Sequence, residues 1–178
     1  MALPRAQEER APSFQHHAAS ELPQIDGDGT RLRLIAGTLY GERAPVATLS
    51  DMFYADVALA ANARLPVATD YEQRAIYVVR GGIDIDGGSF NAGELLVLRP
   101  GRPVTVHAQA PAQLLLLGGA PLDGPRHVWW NFVSSSTERI QQAKIDWRDG
   151  RLGSVPGDCE FIPLPPSAVL QPGPVDYP

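Results

Sequence analysis

Between residues 31 and 117, short apolar-patterned runs alternate with glycine and proline turns, and this rhythm constrains the fold more than any other feature. Arg31-Leu32-Arg33-Leu34-Ile35-Ala36 alternates polar and apolar residues, as a half-buried strand does. Residues 46–49 form a weaker strand. Residues 51–59 form a stronger one, with Phe53, Val57 and Leu59 on one face. Residues 75–80 are β-branched and aromatic. Ile83-Asp84-Ile85 runs into Asp86-Gly87-Gly88, a tight hairpin signal. Residues 94–98, 104–107 and 113–117 complete the series, and Pro100-Gly101 turns the chain between two of them. Strands at this spacing predict an antiparallel sandwich or barrel. No strand-helix-strand rhythm supports a parallel sheet.

At 178 residues the chain suffices for one well-buried domain. The net charge of −5 and the lack of a basic block argue against nucleic acid or an anionic membrane as partner. Cys159 stands alone, so no intrachain disulfide is expected. No apolar signal core or membrane-length run is present, and the expected location is cytoplasmic. Residues 1–30 read as a polar lead-in, and residues 164–178 as a proline-rich tail.

One helix is expected, over 136–149. Ser135 and Glu138 fit a capping box, Ile140, Ala143 and Trp147 recur at helical spacing, and Gly150 is placed to end it. A single apolar stripe must lie on something, and the outside of the barrel is the expected support. Before it comes Trp129-Trp130-Asn131-Phe132, either a binding surface or a clasp that anchors the chain.

The stretch "GGAPLDGPRHVWWNFVSSSTERIQQAKIDWRDGRLG", residues 118–153, resembles the end of pirin-family proteins. "VPGDCEFIPLP" fits the bacterial members. "MFYADVALAANARLPV" and "YVVRGGIDIDGGSFNAGELLVLRPG" resemble the second cupin of the same proteins. Pirins are bicupins. The resemblance implies an all-β, cupin-type double-stranded β-helix (jelly-roll) barrel over 31–163, with one C-terminal α-helix. It also implies iron in the first barrel, on three histidines and a glutamate. This chain resembles the second barrel, with the segment before residue 18 similar to the inter-barrel linker. The iron-bearing half is expected to lie outside it.

The cupin metal motif can be laid on the sequence directly. Anchored on Gly81, its glutamate position is Arg74, and its histidine positions are Ala68 and Asp70, or Val67 and Thr69. The second-motif histidine falls near Thr105, with His107 two residues on. One histidine does not make an iron site, which needs about three protein ligands. No cofactor is therefore expected. Asp70, Arg74 and His107 would line the cavity as an ion-paired cluster if the register holds, or be solvated if it slips by a residue or two.

His16-His17, His127, Cys159 and Ser134-Ser135-Ser136 lack the neighbours that ligation or nucleophilic catalysis requires. The resulting expectation is a metal-free C-terminal cupin module without catalysis of its own. It would associate as a homodimer, with another cupin domain or with a protein partner. The alternatives are one half of a quercetin 2,3-dioxygenase-type pirin, or a small-molecule-binding cupin.

Overall fold

The computed structural model describes residues 2–153, 157 and 159–165; the end of the tail lies outside them. The chain forms two compact units, one of residues 12–121 and one joining residues 1–11 to residues 122 onward.

The first unit is the barrel. Its strands are β1 (Gln24–Gly27), β2 (Thr30–Leu39), β3 (Glu42–Arg43), β4 (Met52–Leu59), β5 (Arg64–Val67), β6 (Gln73–Arg80), β7 (Gly82–Ile85), β8 (Gly88–Asn91), β9 (Leu95–Leu98), β10 (Val104–His107) and β11 (Ala112–Gly119). The larger sheet runs β1-β2-β4-β11-β6-β9, with β3 on β2. The smaller runs β5-β10-β7-β8. Every pairing is antiparallel.

The period-two pattern explains why the sheets close on each other. Alternate residues of β4 (Phe53, Ala55, Val57, Leu59) and of β6 (Ile76, Val78) turn inward. Leu65 and Val67 of β5 and Val104 and Val106 of β10 share the same buried cluster. Burial of each such side chain contributes roughly 1.5–3 kcal/mol. Hairpins fix the register. Asp86 and Gly87 both adopt positive φ between β7 and β8, the backbone a two-residue primed turn requires.

Two sequence expectations change here, and one strand is new. Residues 46–49 form no strand, since their weak alternation finds no partner to pair with. Gln24–Gly27, within the expected lead-in, is strand β1, paired with β2 across an Asp28-Gly29 turn. Arg64–Val67 is a strand despite Pro66. It is the edge of the smaller sheet, where a missing N–H costs little.

The second unit contains a small hairpin, β12 (His127–Trp129) with β13 (Phe132–Ser134), and helix α1 (Thr137–Arg148). Ser136 caps the helix; its hydroxyl oxygen accepts from the Arg139 N–H at 3.2 Å. The capping box expected at Ser135 is therefore displaced by one residue. Ser135 instead spends its N–H and hydroxyl on Glu8. Glu138 falls one position short of the reach-back geometry and accepts from the Ser136 hydroxyl. Within this unit the stripe of Ile140 and Ala143 is buried, with the hairpin as the helix's neighbour.

Candidate functional site

Arg74 occupies the inward face of β6 in line with Ile76 and Val78, and is 2% exposed. Its Nη1 donates to the Ala68 carbonyl at 3.1 Å. Its Nη2 donates to the carbonyls of Arg99 at 2.9 Å and Arg102 at 2.8 Å. The planar fork of guanidinium donors suits such divergent acceptors. Nε has no partner among the described residues. The cation thus ties the turn between β9 and β10 to the turn between β5 and β6.

The expected cluster does not assemble. Asp70 is exposed, and Arg74 makes no ion pair among the described residues, because carbonyl oxygens already take its outer donors. His107 lies on the outer face of β10, since Val104 and Val106 take the inner one. Its Nδ1 is 3.9 Å from Asp84 Oδ2, the residue opposite it on β7. Hydrogen bonds from the Ser89 hydroxyl and the Gln109 amide, with a smaller contribution from His107, hold the Asp84 carboxyl below the usual aspartate range.

The residues at the metal positions do not fit iron. Val67 is buried and apolar, Thr69 and Asp70 are exposed, and the residue laid on the motif's glutamate position, Arg74, is a buried cation. A guanidinium there repels a dication and has no lone pair to offer. Among the described residues no three His, Cys, Asp or Glu side chains gather as a metal site.

Beside β9 an open cleft of about 390 Å³ has Phe90, Val104 and all four residues of β9 among its lining. Arg102 at its rim pairs with Asp86 at 2.8 Å. The carbonyls of Arg99 and Arg102 that Arg74 holds belong to this wall.

In the second unit the aromatic segment folds onto itself. Trp129 is 3% exposed, stacks with Phe132 at 6.1 Å, and carries Lys144 Nζ 4.1 Å above its ring. Trp130 and Phe132 are half-buried, and Asn131 is exposed. Trp130 sits in the two-residue turn at φ 54°, a conformation costing a bulky residue roughly 1–3 kcal/mol. Its ring meets Trp147 edge-on at 5.0 Å, and Trp147 stacks on Phe161 at 6.3 Å. Of the four candidate interface residues, Asn131 alone is fully presented to solvent.

One site escaped the sequence reading. Arg126 is wholly buried, with Nε 2.8 Å from Glu8 Oε1. It also bonds Asp123 and donates to the carbonyls of Leu3 and Gly124. Glu8 accepts from the Ser135 N–H and from the hydroxyls of Ser134 and Ser135. Burial alone would push the Glu8 carboxyl up. The serine donors and Arg126 outweigh it, and the net shift is downward. Glu8 and Ser134 are 126 residues apart, so no local pattern links them.

Two antiparallel sheets closed on an apolar core, with the jelly-roll strand order, define a cupin barrel. Residues 54–153 match the pirin C-terminal cupin domain, and the chain belongs to the pirin family as its C-terminal cupin half. A pirin-like protein of Caulobacter vibrioides is 41% identical over 167 residues, 93% of this chain and 58% of that one. A Pseudomonas aeruginosa protein, provisionally named a quercetin 2,3-dioxygenase, is 34% identical over 84% of this chain and 48% of its own length. The chain thus spans about half the length of these relatives. The crystal structure of a quercetin 2,3-dioxygenase from Acinetobacter baumannii shares the fold, with TM-score 0.82 at 22% identity over 97% of this chain and 59% of that one.

Two outcomes follow. Arg74→Met removes the guanidinium donors from three carbonyls and lowers stability in urea unfolding by on the order of 3 kcal/mol; Arg74→Lys, lacking the fork, recovers only part of this. Glu8 has a depressed native pKa, so its contribution is present above the unfolded glutamate value of roughly 4.3 and is lost as pH falls through the lower native value. Stability measured from pH 7 to pH 3 should therefore decline more steeply in the wild type than in Glu8→Gln.

Proposed function

We propose that this chain is a metal-free cupin module of a pirin-like protein, acting by association and not by chemistry of its own. The observation that supports this reading is the buried, carbonyl-bound Arg74 guanidinium, at the position that the cupin motif anchored on Gly81 gives to its glutamate. Its partner is a second copy of the chain or another cupin domain, in the cytoplasm. No helix among the described residues is long and apolar enough to cross a membrane. The acidic net charge disfavours nucleic acid as a direct partner.

A second reading comes from the name of the Pseudomonas relative. In it, the chain is one half of a flavonol dioxygenase, and the oxygen chemistry belongs to a metal-bearing cupin supplied separately. A third is a small-molecule binder using the cleft beside β9.

The purified chain is incubated with ferrous iron under nitrogen, desalted, and assayed for bound metal and for quercetin consumption in air. The expected result is far less than one iron per chain and turnover no faster than free iron. Stoichiometric iron with flavonol cleavage overturns the reading.

A further inference from the structure

The larger sheet ends on β9, and the phase of its ladder shows which backbone groups face outward. Val78 N–H donates to the Glu94 carbonyl at 3.0 Å, and the register continues with Ile76 opposite Leu96 and Arg74 opposite Leu98. Bonded pairs in an antiparallel ladder recur every second residue. Leu96 and Leu98 therefore turn their backbone groups to β6, as does the Glu94 carbonyl, while the Glu94 N–H donates to the Asn91 carbonyl and the Gly93 N–H takes its place on Val78. The N–H and C=O of Leu95 and Val97 point to the open edge.

The same two residues present their side chains outward, Leu95 at 59% exposure and Val97 at 64%. Natural edge strands are blunted by proline, lysine or inward charges. The run Leu95-Leu96-Val97-Leu98 has none. The cleft alongside leaves this strand uncovered by the smaller sheet. Glu94 precedes the run and Arg99 follows it. Antiparallel self-pairing brings the acidic end of one strand to the basic end of the other, at both ends. A parallel arrangement would set like charge against like.

We propose that β9 is the docking edge for a second copy of this chain, extending the larger sheet across a two-fold axis at Leu96. Leu95 of each copy then lies opposite Val97 of the other. About four inter-chain backbone bonds form, and the four exposed apolar side chains gather on one face. The two-fold stands perpendicular to the sheet, so both copies keep their core faces on the same side. This rests on the association reading above and names its surface.

Sedimentation velocity and amide hydrogen exchange on the full chain test it. The expected result is a dimer at roughly 10–100 µM. Leu95 and Val97 amides gain at least tenfold protection as concentration rises. Leu96 and Leu98, already bonded to β6, do not change. Val97→Lys gives a monomer with unchanged melting, and Arg99→Glu weakens the dimer at low salt. A wild-type monomer throughout overturns both this surface and self-association. A dimer indifferent to Val97→Lys, or without protection at Leu95 and Val97, overturns β9 alone. A dimer indifferent to Arg99→Glu overturns the antiparallel register. Metal content and turnover are read separately, so none of these outcomes can be mistaken for a failure of the non-catalytic reading.

Discussion

A buried guanidinium organises the barrel. Taking a cation out of water costs several kcal/mol unless polar groups replace the lost solvent. Arg74 meets that cost with the carbonyls of Ala68, Arg99 and Arg102, all from turns and strand ends that would otherwise have to satisfy those oxygens elsewhere. One side chain therefore does two things. It fixes the β9–β10 turn, and through it the wall of the cleft beside β9. It also places a fixed positive charge inside the barrel. The rest of the interior is filled with Leu, Val, Ile, Ala and one Phe.

The second unit uses the same device with different partners. Arg126 is also wholly buried, but it meets the carboxylates of Glu8 and Asp123 as well as carbonyls. Glu8 then holds Ser134 and Ser135 just ahead of the helix, leaving Ser136 to cap it. The N-terminal residues are thereby part of the folded unit. The aromatic contacts from Trp129 through Trp130 and Trp147 to Phe161 complete it. The positive φ of Trp130 is a local cost that its edge-on contact with Trp147 helps offset.

The sequence made the barrel legible wherever side-chain period and turn chemistry agreed. Phe53, Val57 and Leu59 alternate and are buried together, and Asp86-Gly87 makes the turn its residues favour. Residues 46–49 misled because alternation without a partner strand leaves no ladder. Gln24–Gly27 and Arg64–Val67 were hidden by short length and by Pro66, both tolerable at a sheet edge. The site was less legible. Arg74 was rightly placed on the inward face by its spacing, but Asp70 was the wrong partner, because carbonyl acceptors leave no trace in a sequence. Of the two placements open for His107 in the sequence, the one outside the core holds, since a two-residue spacing shows only that it shares Thr105's side and the core claims Val104 and Val106. Glu8 and Arg126 could not be paired, since the connection exists only in three dimensions.

The most direct test of whether Arg74 closes the interior is the arginine side-chain region of the ¹H–¹⁵N spectrum, recorded with and without ferrous iron. A guanidinium held by three carbonyls gives separate, slowly exchanging Nη proton signals for Arg74 that vanish in Arg74→Met. They keep their intensity when iron is added. A single, solvent-averaged Arg74 signal, or paramagnetic broadening that spreads from Arg74 to Leu98 and Val104 at one equivalent of iron, would contradict the proposal that Arg74 closes the interior to metal.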